Sequence, residues 1–176
     1  PEQKFMIIDS VVESPNVMSI VFMENEGSAL VGALAAMVAA HYGYPKVGAV
    51  LGIEIPVLFH FEAGYRFGID WGNKRVAKQN GKDPQIGLLY TYTGTFSDIA
   101  KGKEATGAML AQKAGLIYNV AGPLGIGDLQ AITEAIKAKG KEAGPPFMIG
   151  VDANQDWMGD GHRVLASMLK RVDNAC

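Results

Sequence analysis

Short apolar runs alternate with longer helical segments along the chain, and this alternation constrains the fold more than any other feature. Lys4–Ile8 and Val17–Met23 read as strands. Gly27–His41 reads as a helix with Ser28 as its cap. Lys46–Leu51 is a strand, and Pro56–Gln79 is a long helix whose apolar face carries Leu58, Phe61, Tyr65, Ile69 and Val76. Ile86–Tyr92 is a strand, followed by a helix from Asp98 to about Lys113 with Ser97 as its cap. Leu116–Val120 is a strand, Gly125–Lys139 a helix ended by Gly140, and Phe147–Val151 a strand. Strands of about five residues separated by helices of about 15 imply right-handed βαβ units and a parallel sheet. The expected fold is therefore α/β, a doubly wound parallel sheet.

From Lys46 onward the pattern makes a nearly complete lobe. The earlier segment looks like the tail of another lobe, so the chain reads as truncated at its N-terminus. In the long helix, Gly64, Gly68 and Gly72 recur every fourth residue. Each costs about 1 kcal/mol relative to alanine. Such a stripe implies close backbone approach to the sheet or to a neighbouring helix.

A formal charge of −2 gives no electrostatic footprint for nucleic acid and no polybasic membrane patch. The longest apolar run, Gly27–Ala40, is about 14 residues, short of the ~20 that span a bilayer. The single cysteine, Cys176, has neither partner nor spacing for a metal site. His41, His60 and His162 are scattered, and no nucleophile elbow, zinc-protease helix or C-x-x-C motif occurs. The expectation is binding without catalysis, cofactor or metal.

Open parallel sheets bind ligands outside the carboxyl ends of their strands. Polar groups follow each of the four later strands: Glu54; Thr93, Thr95, Ser97 and Asp98; Tyr118 and Asn119; and Asp152 in "VDANQD". The turn "AGPLGIGD" carries Gly122, Gly125 and Gly127 in the wrong spacing for a dinucleotide fingerprint. It lacks the lysine of a phosphate loop, and Asp128 is unfriendly to phosphate. A tight turn and a neutral-ligand contact at Gly122 remain the two readings.

Six stretches in order resemble the basic membrane protein family, the purine-nucleoside-binding lipoproteins of ABC transporters. They are "NVMSIVFMENEGSALVGALAA", "VGAVLGIEIPVLFHFEAGYRFGI", "YTGTFSDIAKGKEATGAML", "GLIYNVAGPLGIG", "IGVDANQD" and "VLASMLKRVD". The resemblance implies a type I periplasmic-binding fold, with two α/β lobes, a hinge and a ligand in the cleft, so that 1–45 is expected to be the end of the N-terminal lobe, 46–152 the C-terminal ligand-binding lobe, and 153–176 a hinge return and terminal helix. It implies a nucleoside ligand, a partner permease, an extracytoplasmic location and a lipid anchor upstream of this segment. It also implies that Tyr118 stacks on the base, that Asp152 accepts hydrogen bonds from the ribose hydroxyls, and that Lys170 reaches the same sugar. The family's Asn-Asp segment, with a second stacking aromatic, is not in this chain. Pro123 stands where the family tends to carry a small residue, and proline donates no backbone N–H.

Each site residue has a plainer alternative: Tyr118 as core, Asp152 as a turn cap, and Lys170 as a solvated helix residue. At the level of function the alternatives are the ligand-sensing half of a transcription regulator, a sugar-binding receptor of the same fold, and an enzyme acting on nucleosides.

Overall fold

The computed structural model describes residues 3–175, and Cys176 lies outside them. Strands β1 (Phe5–Ile8) and β2 (Val17–Ile20) form a small parallel pair. Helix α1 (Glu24–Tyr42) leads into β3 (Lys46–Leu51), α2 (Pro56–Asn80), β4 (Gly87–Tyr92), α3 (Ile99–Ala111) and β5 (Ala114–Val120). Then follow α4 (Leu124–Ala138), β6 (Phe147–Asp152) and β7 (Val164–Leu169). The main sheet has five strands in the order β4-β3-β5-β6-β7. All of its neighbouring strands are parallel.

Central strands of such a sheet are buried on both faces, and their side chains alternate between two cores. Val47, Ala49, Leu51, Leu116, Tyr118, Val120, Ile149 and Val151 face one side, with α1 and α2. Val50, Ile117 and Met148 face the other, with α4 and Met109 of α3.

Two expectations are corrected here. Val31, Ala35, Ala36 and Ala39 of α1 share the core of the main sheet. This helix therefore packs as part of the unit assigned to 46–152, and a boundary at residue 45 cuts through one core. The second correction concerns the chain end. Where a terminal helix was expected, "VLASML" forms β7, a fifth strand paired along β6 from Met148 to Asp152. Apolar residues four apart, such as Val164 and Met168, fit both a helical and a strand period.

Helix starts also move. Helix α1 begins at Glu24, and Ser28 is buried inside it rather than capping it. Asp98, not Ser97, caps α3 by accepting from the Ala100 and Lys101 amides. Asp128 is fully buried in α4 and accepts a 2.8 Å hydrogen bond from the Thr106 hydroxyl of α3. Burial pushes its carboxyl up to about 8 against the pull of that bond, so it is largely neutral at pH 7. The expected anion at this helix start is thus a concealed link between helices.

The glycine stripe is borne out as a seam between helices. A Cβ on Gly64 would meet the Asn25 carbonyl of α1, and one on Gly68 the Ala29 carbonyl. One on Gly72 would meet Ala36. The α1–α2 approach therefore excludes side chains at these positions. Gly107, on α3, has open space at its Cβ position. Gly68→Ala is expected to destabilise by about 1–3 kcal/mol through overpacking. Gly107→Ala should stabilise by up to about 1 kcal/mol through helix propensity. Urea melts of the two variants that move in the same direction would refute the seam.

Candidate functional site

Strand β6 ends at Asp152 and β7 at Leu169, followed by Lys170. The ladder continues past the strands, because the Lys170 amide donates to the Asp152 carbonyl at 2.9 Å. This register places the two side chains next to each other at the carboxyl edge of the sheet. Asp9, just after β1, arrives from the small sheet and meets the same ammonium.

Lys170 Nζ lies 2.6 Å from Asp9 Oδ2 and 3.4 Å from Asp152 Oδ1. The lysine side chain is 7% exposed, while those of Asp9 and Asp152 are 33% and 50% exposed. Its ammonium also stands 5.6 Å from the centre of the Phe61 ring and 5.8 Å from that of Phe22, within cation–π range. Burial alone would depress the lysine's pKa. The hydrogen bond to Asp9 and the charges of Asp152 and Asp9 outweigh it, and the net shift is upward. The ammonium is therefore fixed through the whole neutral range.

Both carboxylates sit on left-handed backbone, with φ of 64° at Asp9 and 65° at Asp152. Aspartate tolerates this conformation better than most residues. Each strand can thus end in an abrupt turn that keeps a carboxylate beside the lysine. The polar residues after Asp152 brace that turn. Gln155 Oε1 accepts from the Val151 amide at 3.2 Å, and the Gln155 amide donates to Ser167 Oγ at 3.0 Å.

These groups open onto a cavity of about 380 Å³. Its polar wall is Asp9, Asp152 and Lys170; its apolar walls include Phe61, Phe96, Val120 and Pro123. Phe96 lies across Gly52, where any Cβ would collide with the ring. Gly52 follows β3, so the glycine-ended strand is what lets the aromatic face settle at the edge. Gly122, with φ of 52°, lies on the rim beside Pro123. Its turn is pinned by buried Asn119, which donates to the Gly122 carbonyl and accepts from the Ala121 amide.

Of the expected site residues, Asp152, Lys170 and Gly122 are brought together, and Tyr118 is not. Tyr118 is fully buried, its ring centre 4.9 Å from that of Tyr65, its hydroxyl 3.1 Å from Ser28 Oγ. Alternation along β5 turns it onto the α1–α2 face, so the expectation that it stacks on a base is corrected in favour of a core role. Lys170 is neither helical nor solvated. Glu54, Thr93, Thr95, Ser97 and Asp98 do not line the cavity either. Thr93 instead bonds to the Leu51 and Thr95 carbonyls.

Asp9 and Phe96 escaped the sequence reading. Asp9 obeys the same rule as Asp152, a polar residue after a strand, but it lies ahead of the segment to which the rule was applied. Phe96 offers no local signal beyond the preceding Thr-Gly-Thr turn.

The arrangement suits a neutral ligand rich in hydroxyl groups and carrying a flat apolar part. Carboxylates only accept hydrogen bonds, and the enclosed ammonium offsets their negative charge in a partly dry site. Among the described residues, no group of three or more metal-ligating side chains occurs. No described helix is long and apolar enough to cross a membrane.

Comparison with known proteins gives a consistent context. The Bmp family, described as "ABC transporter substrate-binding protein PnrA-like", matches residues 1–176. A protein named as an uncharacterized lipoprotein in Pyrococcus furiosus is 36% identical over 99% of this chain and 42% of its own length. The ABC transporter nucleoside-binding protein BmpA of Lactococcus lactis is 33% identical over 98% of this chain and 48% of its own length. The chain thus spans less than half the length of these curated relatives. A crystal structure of an ABC transporter solute-binding protein from Aeropyrum pernix superposes with a TM-score of 0.84 at 37% identity. That match covers 99% of this chain and 46% of the other.

Removing the ammonium leaves two carboxylates facing each other. Breaking a fully buried pair costs about 3–5 kcal/mol. Here the carboxylates are partly exposed, so Lys170→Met is expected to cost about 1–3 kcal/mol. Lys170→Arg should cost less. The upward shift means that the stabilisation is fully present below the usual lysine range and lost only as pH rises above it. Melts at pH 7 showing Lys170→Met as stable as the parent would contradict this.

Proposed function

The chain belongs to the Bmp family, the PnrA-like substrate-binding proteins of ABC transporters, and from that premise we propose that it forms much of the ligand cleft of a nucleoside receptor. The receptor captures a nucleoside, preferentially a purine one, outside the cytoplasm. It delivers that ligand to the transporter permease while a lipid anchor holds it at the membrane. The observation that carries this reading is the pair of carboxylates, Asp9 and Asp152, held on one ammonium at a cavity edge with aromatic walls.

Asp152 is the half-exposed member and lines the cavity, so it is the carboxylate that can accept from a ribose diol. Such charge-assisted bonds are roughly twice as strong as neutral ones. Lys170 acts by holding the carboxylates rather than by reaching far into the cavity. Phe96 supplies the flat apolar surface for the base, the role first expected of Tyr118. Base stacking on an aromatic is worth about 1–3 kcal/mol. Support from relatives lies in the nucleoside-binding name of the Lactococcus lactis protein and in the lipoprotein name of the Pyrococcus furiosus one. The role is binding, in keeping with a family of ABC transporter substrate-binding proteins.

Calorimetry of the full-length protein against nucleosides, free bases and sugars tests the proposal. Inosine or guanosine should bind and be recovered unchanged. Asp152→Asn should weaken binding roughly ten- to a hundred-fold, the worth of one or two charge-assisted hydrogen bonds. Unaltered affinity in Asp152→Asn would remove the carboxylate from the site. Binding of hexoses alone would remove the nucleoside.

A further inference from the structure

The opposite end of the sheet carries a second concavity that the receptor reading does not use. It lies where β3, β5 and β6 begin and where α1, α3 and α4 end. Its volume is about 500 Å³, and Tyr42, Tyr44, Lys113, Lys139, Lys141 and Pro145 line it. Strand β3 runs from this end to the ligand cavity, so the two sites stand roughly 16 Å apart at ~3.3 Å per residue.

The lining has three lysines and no carboxylate. Among the described residues, none of the three forms a salt bridge. Lys46, at the start of β3, adds a further positive charge at this end. In a chain of formal charge −2, this is a locally cationic hollow. Its frame is rigid. The Tyr44 ring packs against Gly115, where a Cβ would overlap it. Lys139 Nζ donates to the Tyr44 hydroxyl at 3.2 Å and stands 5.6 Å from that ring's centre. Tyr42 is held edge-on by Phe147 at 5.8 Å between ring centres, yet half of it stays exposed.

We propose that this hollow is a binding site for a phosphate-bearing anion, with Lys113, Lys139 and Lys141 neutralising the phosphate and Tyr42 offering a face to an attached ring. Compact ammonium groups suit a multiply charged oxyanion. The same lysines also counter the partial negative charge where α3 and α4 end. That role needs no concavity and no aromatic wall, and it predicts no saturable binding.

The test is calorimetry of the full-length protein with inorganic pyrophosphate and, separately, with phenyl phosphate at low ionic strength. Saturable binding is expected. A combined K113Q, K139Q and K141Q variant should weaken it at least tenfold and leave nucleoside affinity at the distant cleft within about twofold. K139Q alone should weaken it less and serves if the combined variant does not fold. Binding of pyrophosphate alone identifies an inorganic phosphate as the ligand class. Preference for phenyl phosphate, lost in Tyr42→Ala, identifies an aryl or nucleoside ester. No saturable binding of either probe, or binding that survives the lysine substitutions, overturns the proposal.

Discussion

One buried ammonium organises the cleft edge. Lys170 follows the last strand of the sheet, and its side chain is almost wholly enclosed. A charge in that position has to be compensated, and Asp9 and Asp152 do so from two different sheets. The ion cluster therefore ties the small β1–β2 pair to the main sheet. It also holds two carboxylates at the mouth of a cavity whose other walls are aromatic and aliphatic.

The sheet topology brings those three residues to one edge. Parallel strands put all their carboxyl ends on the same side, and the β6–β7 register sets Asp152 beside Leu169 and hence Lys170. The glycine seam between α1 and α2 brings one helix layer close enough to seal the core under that edge. Phe61 extends this layer to the cavity wall and lies in cation–π range of the ammonium. On the other face, the α3–α4 pair is linked through Asp128 and Thr106, out of reach of any ligand.

Much of this was legible in the sequence. The alternation of apolar runs and helices gave the parallel sheet, because both periods are long and regular there. The rule that ligands lie beyond strand ends selected Asp152. It did not separate Asp152 from Glu54 or Asp98, because sequence order does not reveal the β6–β7 pairing that sets Lys170 beside Asp152. Tyr118 shows the limit of a residue-type argument. One position along a strand reverses the face to which a side chain points, and here it points into the core against Tyr65. Strand β7 was hidden because its apolar spacing fits both periods. Asp9 was hidden because its significance depends on a contact across 161 residues of chain.

In the proposed receptor, Asp152 at this edge grips a sugar diol. The most direct measurement is the affinity of the full-length protein for a ribonucleoside and for its 2′,3′-dideoxy counterpart, which carries the same base. Removing the hydroxyls is expected to weaken binding by roughly tenfold or more, because the carboxylate loses the donors it would accept from. Equal affinity for the two ligands would contradict it.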